Sequence, residues 1–214
     1  MAQTHADISG HQRMNPRLSR SFFERSTLTV ARELLGQRLV RIEEDGSRVS
    51  GLICETEAYI GTDDDGCHAK SGPTRRNQSM WGPAGICYVY FTYGMHWMLN
   101  LVTEQEGFPA AVLLRGVIPQ EGIEIIRKRR AGQPPQRWTD GPAKLCQAFG
   151  VHREHDRVDS CHPEAIIFVE RGKFVADSNV TVGPRVGLSH VAEPWKSMPW
   201  RFRLSSDITP NEEE

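Results

Sequence analysis

The sequence predicts an α+β fold: one mixed domain with a curved, mostly antiparallel β-sheet, flanked by helices and carrying a protruding β-hairpin. Three observations carry this. Apolar stretches with strand alternation meet at tight-turn signals, Asp45-Gly46 and Gly94, which join antiparallel neighbours. Helical stretches are few and stand apart, at residues 21–35, 120–130 and 140–149. No internal repeat and no low-complexity linker divides the 214 residues, a length sufficient for a proper core.

Residues 21–35 close on Ala31-Arg32-Glu33-Leu34-Leu35-Gly36, a helix with a glycine stop. Arg38 to Ile42 alternates as a strand, Asp45-Gly46 turns the chain, and Val49 to Ala58 returns. Tyr59 to Trp81 is a long polar loop; unstructured loops of that length are uncommon and often functional. Ile86 to Tyr93 and His96 to Thr103 form a hairpin about Gly94, and Ala110 to Ile118 is a further apolar strand. Gln120 to Arg130 is a helix whose basic end suits its dipole, and Gly132-Gln133-Pro134-Pro135 breaks it. Asp140-Gly141-Pro142-Ala143 opens another helix running to Phe149. Ile166 to Glu170 and Val180 to Val186 complete the strands. Residues 1–16 read as a disordered lead-in, 17–205 as the single domain and 206–214 as an acidic tail.

Composition excludes several classes. A hydrophobic fraction of 38% and a charged fraction of 25% suit a soluble globular chain. No apolar run reaches the ~18 residues of a membrane span. The N-terminus lacks the apolar segment of a secretory signal. Cys54, Cys67, Cys87, Cys146 and Cys161 are odd in number and without zinc-like spacing, as expected of reduced thiols filling a core. The net charge of −1 argues against a nucleic-acid binder held by charge alone. Basic blocks nevertheless occur at Arg75-Arg76 and at Arg127-Lys128-Arg129-Arg130, the latter followed by Arg137 and Lys144.

The residues with chemistry lie in two stretches. In Cys54-Glu55-Thr56-Glu57-Ala58-Tyr59 the two acids share one face of a strand, where like charges repel and one carboxyl is pushed up. The pattern alone favours two solvated strand-end acids; the sharper reading is a partly buried general base. In Tyr88-Val89-Tyr90-Phe91-Thr92-Tyr93-Gly94, Tyr88 and Phe91 read as strand packing. Tyr93 sits at the turn, where an aromatic is hard to bury and can act as a wedge between base pairs. Tyr90 and Tyr59 could stack on an extruded base. Arg115 ends the apolar run Val112-Leu113-Leu114, so its charge needs a partner. Asp63-Asp64-Asp65 with His68 reads either as a hard-metal site or as a solvated acidic loop, with the second favoured.

These segments, taken in order, resemble the alkyladenine (3-methyladenine) DNA glycosylase family, the type without a helix-hairpin-helix. The likeness runs through Leu34-Leu35-Gly36-Gln37 and Leu39-Val40-Arg41, Glu55-Thr56-Glu57-Ala58-Tyr59, and His68 with Arg76-Asn77. It continues through Tyr88-Val89-Tyr90, Tyr93-Gly94-Met95, Asn100, Leu113-Leu114-Arg115, Gly141-Pro142-Ala143-Lys144-Leu145-Cys146-Gln147 and Arg185-Val186-Gly187. The resemblance implies a monofunctional glycosylase that flips alkylated or deaminated purines out of duplex DNA and hydrolyses the N-glycosidic bond. It implies that Glu57 activates the water, and that Arg115 and the backbone carbonyl of Val186 help hold it. Tyr59, His68, through a backbone N–H, and Tyr90 would wall the base pocket. Asn100 would disfavour guanine and Tyr93 would fill the gap in the duplex. Arg75, Arg76 and Lys144 are expected to meet phosphates. No metal or cofactor is expected, and the partner is double-stranded DNA containing damaged purines, with no membrane. The expected state is a monomer in the bacterial cytoplasm beside the nucleoid, rather than in a nucleus. His96, where an aromatic is common, and the acidic Asp63-Asp64-Asp65-Gly66 depart from the family pattern. Two other readings remain at this stage: a non-catalytic nucleic-acid-binding module on the same sheet, and a metal-dependent hydrolase using Asp63, Asp64, Asp65 and His68.

Overall fold

A computed structural model describes residues 16–205; the acidic tail and all but Pro16 of the lead-in lie outside the described residues. The strands are β1 (Arg38–Ile42), β2 (Arg48–Ile60), β3 (Cys87–Thr92), β4 (His96–Val102), β5 (Ala110–Glu121), β6 (Ile167–Glu170), β7 (Val180–Gly183) and β8 (Arg201–Leu204). The first six form one open sheet in the order β3-β4-β5-β2-β1-β6, and β8 joins β2 with β7 outside it. Every pairing is antiparallel. The edge of β2 changes partner midway: Arg48 to Leu52 pair with β1, and Glu55 to Glu57 pair with β8.

The helices are α1 (Arg20–Phe23), α2 (Thr27–Glu33), α3 (Ile123–Arg129) and α4 (Pro142–Phe149). The single helix expected over 21–35 is broken at Ser26, whose backbone, at φ −46° and ψ 130°, leaves the helical region. The break is fixed by a distant acid. The Thr27 N–H and hydroxyl both donate to Glu104, at 2.6 and 2.8 Å, so Glu104 caps the second helix. The helix expected from Gln120 begins at Ile123, because Glu121 still pairs with Ser50 and Gly122 makes the turn at a positive φ. The strand expected over 180–186 stops at Gly183, before Pro184, which has no N–H for a ladder.

The two faces of the sheet differ. On one, α2 and α4 pack against Ile53, Ala58, Leu99, Leu101, Val112 and Leu114. Burying one such leucine contributes about 1.5–3 kcal/mol, so this face carries much of the stability. On the other, Tyr88, Val102 and Ala111 lie under Cys67, Ala69 and Met80 of the long loop. That loop is not featureless. It contains 3-10 turns at His68–Ser71 and Gln78–Trp81, knotted by buried Asn77. The Asn77 amide accepts from Thr74 N–H at 2.6 Å and donates to the carbonyls of His68 and Gly72 at 2.7 and 3.1 Å. Among the described residues no helix is long and apolar enough to cross a membrane.

Candidate active site

Strand register builds the floor of the site. Glu57 pairs with Leu113, Leu113 with Asn100, and Asn100 with Tyr88, giving one row across β2, β5, β4 and β3. Directly opposed residues on neighbouring strands point to the same face. Leu113, Asn100 and Tyr88 of this row, with the neighbouring Tyr59 and Tyr90, border a cavity of about 450 Å3, within the range of small-molecule sites. The loop supplies the opposite wall through His68 and Met80, and the segment after β7 supplies Val186 and Leu188.

Two bulges aim the charged groups. Ile53 pairs with Val117, Glu55 with Gly116 and Thr56 with Leu114, which leaves Cys54 unpaired on β2 and Arg115 unpaired on β5. A bulge bends its strand and re-aims a side chain. Here Arg115 turns toward β2, donating from Nε to Glu55 at 2.9 Å and from Nη1 to Glu57 at 3.4 Å. Gly116 is the residue that fits between the bulges, since a Cβ there would lie 3.0 Å from Cys54 Sγ.

Glu57 is fully buried. Its Oε1 accepts from the Val186 N–H at 2.7 Å and its Oε2 from the Tyr59 hydroxyl at 2.9 Å. Val186, Tyr59 and Arg115 line the cavity, so the carboxylate stands one layer behind the wall they make. Burial pushes its carboxyl upward, while the Arg115 charge, the Val186 N–H and the Tyr59 hydroxyl pull it down. The result is a fixed acid with a base strength raised above that of a solvated carboxylate. Glu55 sits nearer solvent, between Arg115 and Arg201, the latter at 3.6 Å.

The aromatic walls are the half-buried phenols of Tyr59 and Tyr90 and the imidazole of His68. Burial raises Tyr59 well above its ordinary range and Tyr90 to about 12, so both stay neutral. The His68 ring stands edge-on to Tyr90 with centroids 4.5 Å apart, and its Nδ1 lies 2.8 Å from the Tyr88 hydroxyl. Burial, then the Arg76 charge, pushes the His68 imidazole down to about 4. The Asn100 amide donates to the Tyr88 carbonyl at 3.0 Å.

The expected intercalating residue, Tyr93, is 83% exposed at the mouth. The Met95 N–H bonds to the Thr92 carbonyl at 3.2 Å, closing a turn whose central residues, Tyr93 and Gly94, have φ of 51° and 67°. Glycine takes that conformation freely; a tyrosine pays about 1–2 kcal/mol for it. Phe91 and Trp97, 4.7 Å apart on the other face, brace the hairpin.

The residues expected at phosphates are dispersed. Arg75 is exposed, Lys144 is bonded to Asp140 at 2.7 Å, and Arg76 lies over the Tyr90 ring at 5.1 Å. Three of the four basic residues at the end of α3 are paired within the chain. Arg127 pairs with Glu124, Arg129 grips Glu43 through bonds of 2.9 and 2.8 Å, and Arg130 bonds to Gln147.

The metal-loop reading is corrected by the geometry. Both Asp64 oxygens are taken by Arg185, in a fully buried bidentate pair, and by the N–H groups of Gly66 and Ile60. Asp65 pairs instead with Lys70 at 2.8 Å. Among the described residues no group of three or more His, Cys, Asp or Glu is placed to share an ion. Arg185 is the residue sequence reasoning passed over. It stacks between Tyr59 and Trp200, at 4.7 and 4.9 Å, and fixes the backbone that presents Val186. Its only signal was its place beside Val186 in a matching segment.

An aromatic-walled cavity backed by a buried acid has room for a base, and comparison with known proteins gives the class: a DNA glycosylase. Residues 21–208 match the family described as methylpurine-DNA glycosylase. The chain belongs to the methylpurine-DNA glycosylase family. A protein of Myxococcus xanthus is 47% identical over 185 residues, covering 86% of this chain and 88% of its own length. One from Methanocella arvoryzae is 44% identical over 188 residues, covering 87% and 92%. One from Chlorobaculum parvum is 40% identical over 185 residues, covering 86% of each. Each bears the name "Putative 3-methyladenine DNA glycosylase".

Proposed function

We propose that this chain is a monofunctional DNA-3-methyladenine glycosylase acting on alkylated or deaminated purines in duplex DNA. The observation that carries the mechanism is the Glu57 carboxylate, fully buried yet bonded to Arg115, Tyr59 and Val186 behind the wall of an aromatic-lined cavity. The glycosidic bond is hidden in a duplex, so the damaged nucleotide is extruded and Tyr93 enters the stack behind it. Tyr59 and Tyr90 hold the purine, each by stacking worth about 1–3 kcal/mol. Positive charge develops on the sugar as the bond breaks. Glu57 stabilises that charge and takes the proton of the attacking water. Arg115 keeps the carboxylate ionised and in place, and the Val186 carbonyl helps to orient the water. Asn100, in the floor, bars purines with an extra amino group. Arg75, Arg76 and Lys144 meet phosphates.

Among the described residues no lysine lines the cavity, which supports water rather than an amine as the nucleophile. The enzyme is taken to act as a monomer. Within a bacterium the reading puts the enzyme in the cytoplasm, beside the nucleoid.

Glu57→Gln tests this. The variant is expected to keep its affinity for duplex containing a damaged purine and to lose base release by about 10²–10⁴-fold. Base release at the wild-type rate would remove Glu57 from the mechanism. Strand scission accompanying base release would remove the monofunctional assignment, and abolition of activity by EDTA would restore the metal-dependent reading.

A further inference from the structure

The two charged side chains that line the cavity, Asp65 and Arg115, each meet an opposite charge. Asp65 takes Lys70 at 2.8 Å, and Arg115 takes Glu55 and Glu57. A third charge stands just outside. Arg76 does not line the cavity, yet its guanidinium lies over the ring of Tyr90, which does, 5.1 Å from the centroid. Arg76 is exposed and has no carboxylate partner among the described residues. Its backbone is held in place by the next residue: the buried Asn77 amide ties Thr74 to the carbonyls of His68 and Gly72. The charge is felt in the wall. Burial raises the Tyr88 and Tyr90 phenols and the Arg76 charge opposes it; burial lowers the His68 imidazole and the Arg76 charge adds to it. An aromatic face attracts a cation through its quadrupole. Tyr90 already faces one, so a second cation, inside the cavity, meets a ring whose attraction is partly satisfied and a like charge beyond it.

We propose that Arg76 is a specificity-determining residue that sets the charge preference of the cavity from outside it. A purine methylated on a ring nitrogen is a cation in DNA, whereas hypoxanthine is neutral. The Arg76 charge lowers the advantage that the cation has on the aromatic walls, and so lets neutral damaged purines compete for them. This selectivity rests on the proposed glycosylase reading; the reach of the Arg76 charge into the wall does not. A phosphate at the outer edge of the guanidinium offsets part of that charge, and base release from duplex measures what remains.

Two measurements keep them apart. The first is NMR titration of the His68 ring in the free protein. The titration is expected to move to higher pH in Arg76→Gln and to stay near its wild-type position in Arg76→Lys, which keeps the charge. An unmoved titration in Arg76→Gln overturns the proposal and has no bearing on Glu57. The second is single-turnover base release from duplexes holding 3-methyladenine, the cation, or hypoxanthine. Arg76→Gln is expected to raise the 3-methyladenine-to-hypoxanthine rate ratio about fivefold over wild type, the size of one exposed cation–π contact. Arg76→Lys is expected to keep the ratio near the wild-type value. If Arg76→Gln lowers both rates together and leaves the ratio unchanged, Arg76 is a phosphate contact alone and the proposal falls. It falls too if the ratio rises equally in Arg76→Lys, because the charge is then not what sets it. Release of neither base by the wild type would instead sink the glycosylase reading and leave the His68 titration standing.

Discussion

The two ends of the cavity are held by opposite means. At the Glu57 end every charged group is tied by several bonds. Glu57 takes three donors, Arg115 two carboxylates, and Arg185 the whole of Asp64. At the Tyr93 end one turn bond and a strained backbone project a largely naked ring into solvent. The difference follows from the work proposed for each. A carboxylate that steers a water gains from being fixed to fractions of an ångström, because misplaced groups lose catalysis steeply. An aromatic that must enter a duplex cannot be buried beforehand. Its position is set by the hairpin, and the strain is kept because the turn leaves no freedom.

The largest expected effect breaks the tied end. Asp64→Asn removes the charge that Arg185 faces in the interior. Breaking one partner of a buried pair costs about 3–5 kcal/mol, which for a domain of this size lowers the unfolding midpoint by roughly 10 °C. Activity should fall with it even below that temperature, since Val186 follows Arg185 directly. A melting curve within a degree or two of wild type would show that the pair carries little of the site.

Tyr93→Asn makes the converse test at the strained end. Asparagine tolerates a positive φ, and Asn-Gly is a favoured hairpin turn. Stability is expected to rise by about 1 kcal/mol, from the relief of strain, while base release from duplex falls about tenfold. A variant that gained stability and kept full activity would leave the strain without a purpose.

How much of this was legible in sequence follows the same division. Tyr93 was visible as an aromatic beside Gly94, because a turn is a local signal. The strands of the sheet other than β8 were legible from apolar pattern, and Glu57 was separable from Glu55 only by resemblance. Long-range relations were not readable. The paired bulges that aim Arg115 depend on register between β2 and β5. The cap that splits the first helix comes from Glu104, far along the chain. β8, of four residues with two arginines, has too little apolar pattern to announce itself. Asp64 read as part of a solvated acidic loop, and is instead fully buried, because its partner lies 121 residues away.

A subtler effect lies in the pH profile. Glu57 must be ionised to accept a proton, so base release declines as pH falls through its titration. Burial puts that decline above the ordinary 4.5 of a glutamate, and Arg115 holds it down. Arg115→Gln removes the opposing charge, so the acid limb is expected to move to higher pH, and the rate at mildly acidic pH to fall more than the rate at pH 8. A profile scaled down without displacement would mean that Arg115 orients the carboxylate rather than tuning it.

The smallest effect sharpens the open end, where DNA must be gripped without a strongly basic surface. Each phosphate neutralised adds about 0.9 to the slope of log affinity against log salt. Arg75 is exposed and its side chain has no bonded partner among the described residues, so Arg75→Gln is expected to lower the slope by about that amount. Lys144 is already bonded to Asp140 at 2.7 Å, and DNA gains only what it adds beyond that pair. Lys144→Gln should therefore change the slope by less, and Asp140→Asn, which frees the ammonium, should raise affinity at low salt. Salt titrations on undamaged duplex measure all three. Equal slope changes for Arg75→Gln and Lys144→Gln would show that the Asp140 pair opens at no cost when DNA arrives.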